Sequence, residues 1–146
     1  MSAEAAKDAF QVLKEYLPAG ESAGSPQVLL ATVKGDIHDI GKNIVKVLLE
    51  SYRFRVLDLG KDVAPETIAD AVAEHTIPLV GLSALMTTTA PYMAETIRLL
   101  RTRALPCRVV VGGAVITRDY AADIGADWYA PDAMETVHIA QQLLES

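Results

Sequence analysis

From Gln27 onward the chain repeats one unit: a short run that is apolar on both faces, then a longer stretch whose apolar residues recur at helical spacing. The runs are "QVLLATV" (27–33), "FRVLDLG" (54–60), "IPLVGLSAL" (77–85) and "CRVVVGG" (107–113), with "ADWYA" (126–130) a weaker fifth. The helical stretches are "KNIVKVLLESY" (42–52), "APETIADAVAEH" (64–75), "PYMAETIRLLRTR" (91–103), the short "RDYAADIG" (118–125) and "METVHIAQQLLE" (134–145). A strand with no polar face must be covered on both sides, and strand–helix alternation makes such strands parallel. The pattern therefore predicts an α/β, flavodoxin-like (Rossmann-like) fold. Its five-stranded parallel sheet has the order 2-1-3-4-5, with helices on both faces. In that winding, ligands sit beyond the C-terminal strand ends, beside the switch point between the first and third strands.

Before this block, residues 3–17 place Ala6, Phe10, Leu13 and Leu17 on one face of an extra N-terminal helix, and "PAGESAGSP" (18–26) reads as a linker. The division expected is residues 1–26 as helix and linker and 27–146 as a single domain, whose 51% apolar content suits one core. A net charge of −6 argues against a nucleic-acid surface. No basic-then-apolar leader opens the chain and no apolar run reaches membrane-spanning length. Cys107 is the only cysteine, so there is no disulfide framework. The expectation is a cytoplasmic protein with no nucleic-acid or membrane partner.

The unusual residues gather on one rim of the predicted sheet. Gly35–Gly41 follows the first strand, Ser83–Thr89 the third, Gly112–Gly113 ends the fourth and Tyr129–Ala133 the fifth. The second strand's ending, "DLGKDV" (58–63), reads as ordinary. Taken alone, His38 between Asp36 and Asp39 could be a solvated loop or a helix cap. Ser83 and Thr87 could be turn residues, and Gly112–Gly113 only a turn. His75 at a helix end and His138 on the last helix read as structural, and Cys107 as a small hydrophobe.

Asp36-x-His38-x-x-Gly41, then Ser83-x-Leu85, then Gly112-Gly113 resembles the DxHxxG…SxL…GG signature of cobalamin-binding domains. Here 41 residues lie between Gly41 and Ser83, and 26 between Leu85 and Gly112. The flanks "VKGDIHDIGKNIV", "GLSALMTTT", "VVVGGAVIT" and "GADWYAPDA" are similar to the methyl-carrying corrinoid proteins of methyltransferase systems and to the cobalamin domain of methionine synthase. The resemblance implies cobalamin, as methylcobalamin or hydroxocobalamin, bound with its own base off the cobalt and His38 as the lower axial cobalt ligand. Asp36 would be the imidazole's carboxylate partner, and Thr89 the third member of the relay, where methionine synthase has serine. Gly41, Gly112 and Gly113 would clear a slot for the nucleotide tail, with Ser83 and Thr87 hydrogen-bonded to it. Gly35 and Ile37 through Asp39 would meet the corrin edge and its amides, Ala133 would lie where the fifth-strand loop meets the cofactor, and Ile40, Leu85 and Tyr129 would also be cofactor-binding.

The implied role is a methyl carrier working with donor and acceptor methyltransferase proteins, the acceptor substrate being, for example, a thiol. Such a carrier is one subunit or domain of a methyltransferase rather than a complete enzyme. Two further readings stay open: the cobalamin-binding small subunit of an adenosylcobalamin-dependent mutase, and a cobalamin sensor or storage protein. A response regulator would need a lysine at the fifth strand end, where this chain has "YAPDA". Relatives carry a helical cap before the cobalamin domain; residues 1–26 resemble its last helix and linker. The apolar face of 3–17 would pack on its own sheet, on a second copy as a homodimer, or on a partner. Two departures stand out: Arg53 where a glycine is common after the first helix, and Trp128 where the residue is usually small.

Overall fold

The structure, a computed structural model, describes residues 26–144, so the helix expected over 3–17 lies outside the described residues. The five strands are β1 (Val28–Val33), β2 (Val56–Val63), β3 (Leu79–Ser83), β4 (Arg108–Gly112) and β5 (Trp128–Tyr129). They form one sheet in the order β2-β1-β3-β4-β5, and all four pairings are parallel. Between and after them run α1 (Ile40–Ser51), α2 (Pro65–His75), α3 (Ala90–Thr102), α4 (Arg118–Asp123) and α5 (Ala133–Leu144). The expected fold class and strand order hold.

The strand period of two sorts the core onto two faces. Leu29, Ala31 and Val33 of β1 join Val72, Met93 and Leu100 of α2 and α3 on one side. Val28 and Leu30 join Leu49, Val137 and Ala140 of α1 and α5 on the other. Every residue of β1 is buried, as a central parallel strand requires. The central strand thus carries its last residue, Val33, to a rim that both helix layers surround.

Element ends differ from the sequence reading in instructive places. Helix α1 starts at Ile40 rather than Lys42, and β3 stops at Ser83 rather than Leu85. Strand β2 does not finish at Gly60. Its register against β1 slips between Leu30 and Ala31 and again between Ala31 and Val33. The extra residues bulge through Gly60 (φ 95°) and Asp62 (φ 54°) before Val63 rejoins the ladder. Strand β5 is two residues long. It is steadied by Asp127, whose Oδ2 accepts from the Val109 N–H at 2.8 Å and from Arg101 at 2.8 Å.

Arg53 follows α1 with φ 73°, so the backbone where a glycine would be at ease costs about 1 kcal/mol. Trp128 is half-buried against the α1–α5 side of the core. Cys107 is buried, and burial pushes its thiol pKa up, which makes it a small hydrophobe. His75 sits in the last turn of α2. His138 is exposed, 3.7 Å from Glu135 on the same helix.

Candidate cofactor site

The loop 34–39 leaves β1 at the rim and turns at Gly35, whose φ of +84° is open to glycine at little cost. The turn sends the Asp36 side chain inward, where it is fully buried. Its carboxylate meets four donors. Oδ1 accepts from the His38 backbone N–H at 3.0 Å and from His38 Nδ1 at 2.7 Å. Oδ2 accepts from the Leu85 N–H at 2.7 Å and from the Thr89 hydroxyl at 2.6 Å. Burial alone would raise the Asp36 pKa. The hydrogen bonds from Thr89, Leu85 and His38 outweigh it and hold the carboxyl well below the usual carboxylate range.

An ionised carboxylate can only accept, so His38 Nδ1 must carry the hydrogen. In the neutral ring the lone pair then falls on the other nitrogen, Nε2, of a side chain 44% exposed. This is the arrangement in which an imidazole binds a metal: one nitrogen anchored to a carboxylate, the other free. Thr89 supplies the third part of the relay from the residue before α3. Its methyl has room because position 35 is glycine: a Cβ there would stand 3.3 Å from Thr89 Cγ2.

Two cavities open beside this triad. One, of about 400 Å³, is lined by Ile37, His38, Asp39, Ile40 and Leu85. The other, of about 440 Å³, runs down between α1 and the start of α5, past Tyr129 and Ala133. Gly41, Ser83 and Gly113 border both, so a platform and a slot meet at those residues. A Cβ on Gly41 would find no atom within 4 Å, which leaves the space to the cavities. Gly113 has φ +133°, and a Cβ there would lie 1.9 Å from the Ala84 carbonyl oxygen; no other residue fits. Gly112 pairs with Ser83 in the ladder, and a Cβ on it would reach 3.0 Å from the Ala130 carbonyl. Ser83 Oγ lies 3.1 Å from Thr32 Oγ1.

Of the residues singled out in the sequence, the structure brings Asp36, His38, Thr89 and the Leu85 amide into one cluster. It sets Gly41, Ser83, Gly112, Gly113, Tyr129 and Ala133 around the slot. Gly35 shapes the loop but borders neither cavity, and Thr87 is exposed and borders neither. Asp39 precedes α1 without a side-chain capping bond. Three residues escaped the sequence reading. Lys42 is buried and its Nζ donates to both carboxylate oxygens of Asp58 at 2.7 and 2.8 Å. Asp62 accepts from the Gly35 N–H at 2.8 Å. The signal was there: Lys42 falls seven residues before the buried Leu49, on the inward face of α1, and a buried cation demands a nearby carboxylate.

A family profile described as the B12 binding domain matches residues 26–138. The chain belongs to the B12-binding domain family. A dimethylamine corrinoid protein of Methanosarcina acetivorans is 41% identical over 99% of this chain and 69% of its own length. A cobalamin-binding protein of Desulfitobacterium hafniense DCB-2, solved by crystallography, superposes with a TM-score of 0.78 at 37% identity over 82% of this chain. The methanol:cobalamin methyltransferase complex of Methanosarcina barkeri gives a TM-score of 0.78 at 30% identity over 84% of this chain. The chain spans 59% and 48% of those two solved chains. Within the B12-binding family it therefore stands with the corrinoid proteins of methyltransferase systems, and its cofactor is cobalamin.

The residues present fit that group. Among the described residues, no three His, Cys, Asp or Glu side chains come together to hold a metal ion. One oriented imidazole suits a metal that arrives with its other ligands already in a macrocycle. The space at Gly41 and the slot beside it suit a long appended tail. Among the described residues no helix is long and apolar enough to cross a membrane.

Proposed function

We propose that this chain is the methyl-carrying module of a corrinoid methyltransferase system, holding cobalamin base-off with His38 as the lower axial ligand. When bound, cobalamin would supply a cobalt centre able to carry a methyl group between a donor and a nucleophile such as a thiolate. The chain's own part is to bind, orient and tune. Asp36 fixes the His38 tautomer and raises the imidazole's basicity, Thr89 and the Leu85 amide keep Asp36 anionic, and the glycine-lined slot takes the tail. The observation that supports this reading is the 2.7 Å contact from His38 Nδ1 to Asp36, which commits Nδ1 to the carboxylate and leaves Nε2 as the ring nitrogen available to a ligand in the cavity that His38 lines. Donor and acceptor chemistry then belongs to partner proteins. Residues 1–26 fit the last helix and linker of a helical cap, or a self-association segment, and a cytoplasmic setting suits the single reduced cysteine.

The test offers the purified chain, loaded in turn with methylcobalamin and adenosylcobalamin, to methylamine-type donor and thiol-acceptor methyltransferases. Methylated thiol from the first cofactor is the expected product. Radical turnover with a mutase partner, without thiol methylation, would overturn the reading.

The carboxylate also makes a prediction about the cofactor-free protein. Asp36→Asn keeps one oxygen but turns an NH₂ toward two donors, leaving buried polar groups unpaired. The expected loss is about 1–3 kcal/mol at pH 7. Because the folded-state pKa of Asp36 is depressed from 3.8, its contribution is present above that value and lost as pH falls below it. Thermal melts of wild type and variant should therefore differ most at neutral pH, with the difference shrinking progressively as pH falls below 3.8.

A further inference from the structure

The end of β2 reaches into the loop that carries His38. The Gly35 N–H donates to Asp62 Oδ1 at 2.8 Å, and the Asp62 N–H donates to the Asp36 carbonyl at 2.9 Å. One residue of a neighbouring strand thus holds the backbone on both sides of the Gly35–Asp36 pair, two residues before the imidazole. Asp62 does this from φ 54°, a left-handed conformation that non-glycine residues hold at a cost, Asp and Asn at the least. Its position follows from the bulge before it. Asp58 Oδ1 accepts from the Gly60 N–H at 2.8 Å and from the buried Lys42 of α1 at 2.7 Å, and Lys46 lies 3.8 Å from Asp58 Oδ2. Lys42 Nζ also donates to Asn43 Oδ1 at 2.8 Å. Polar contacts therefore tie the first turn of α1 to the start of the β2 bulge at Gly60, and, two residues on, Asp62 ties the end of the bulge to the His38 loop.

We propose that Asp62 is a positioning residue for His38. The Asp36 carboxylate fixes the ring's tautomer and one end of its tilt. Asp62 fixes the backbone around Asp36, so the direction of Nε2 is set jointly by the end of β2 and by the segment after β3 that holds the Asp36 carboxylate. The contact is solvent-exposed, and an exposed hydrogen bond adds little to global stability. A left-handed Asp kept for such a bond is better explained by what it aims than by what it holds together. The inference rests on the reading of His38 as axial ligand.

The full-length chain tests it through Asp62→Gly and Asp62→Asn. Glycine removes the left-handed cost and the carboxylate together; asparagine tolerates the backbone and keeps an acceptor oxygen. Two measurements decide. Amide hydrogen exchange at Gly35 and Asp36 is followed without cofactor. Electron paramagnetic resonance of the Co(II) form loaded with cobinamide, which has no tail base, counts the share of cobalt with an axial protein nitrogen. In Asp62→Gly we expect melting at or above the wild-type temperature, exchange at Gly35 about tenfold faster, and a severalfold smaller nitrogen-ligated share. Asp62→Asn should match wild type in all three. Unchanged exchange, or faster exchange with an unchanged nitrogen share, overturns the proposal. Absence of the nitrogen signal in wild type would instead overturn the axial-ligand reading, while the exchange data still judge the Asp62 contacts.

Discussion

Cobinamide bound to His38→Ala protein is expected to show no nitrogen splitting from below the cobalt, where the wild type shows it. Cobinamide lacks the nucleotide, so the only nitrogen that can serve is the protein's, and the described chain places one anchored imidazole at the cavity. Loss of a group that merely orients a metal ligand costs about 10–100-fold in affinity. Removing the ligand itself should cost at least the upper end of that range, about 100-fold. The fold should not suffer, since the His38 side chain is 44% exposed and Asp36 keeps the Leu85, Thr89 and His38 backbone donors. Titration of cobinamide into both proteins, read by spectrum and by melting temperature, separates these outcomes. A variant that keeps its nitrogen signal would remove His38 from the axial position.

Gly41→Leu is the second large effect, and its two parts run in opposite directions. Gly41 is the second residue of α1, so a leucine there should stabilise the cofactor-free protein by up to about 1 kcal/mol through helix propensity. The same side chain would enter the space bordering both cavities, where the structure puts no protein atom within 4 Å of the new Cβ. Cobalamin affinity should fall by about two orders of magnitude, an overpacking cost of the usual size. Cobinamide should lose less, because the slot serves the tail. Calorimetric titration with each compound, beside apo melting curves, checks this. Equal affinity of variant and wild type for cobalamin would show that the tail lies elsewhere.

The two-sided apolar strands made the sheet order legible, because only helices on both faces can cover such runs. The rim residues were legible because the winding brings strand ends together; Asp36, His38 and Thr89, separated by up to 53 positions, meet within 2.7 Å contacts. Arg53 stands where a glycine is common, and its φ of 73° shows the left-handed backbone that a glycine would take at ease. What escaped was the end of β2. "DLGKDV" has no odd composition, and its work depends on a bulge, a departure from the strand period that pattern reading cannot see. Asp62 acts through a backbone N–H as well as its carboxylate, and main-chain donors leave no trace in the letters. The Leu85 amide escaped for the same reason, since the family pattern marks the side chain. Thr87 shows the converse. Its place in the motif stretch leaves it exposed and outside the lining of either cavity, which letters alone do not reveal.

Strand β5 has two residues and is the least secured part of the sheet, while the slot's far wall, from Tyr129 to the start of α5, hangs from it. Local opening costs least where the fewest ladder bonds must break. With so few ladder bonds on that side, the outer wall is the part of the sheet expected to yield first when a bulky branched molecule enters, while the metal-binding corner is held by separate contacts around Asp36.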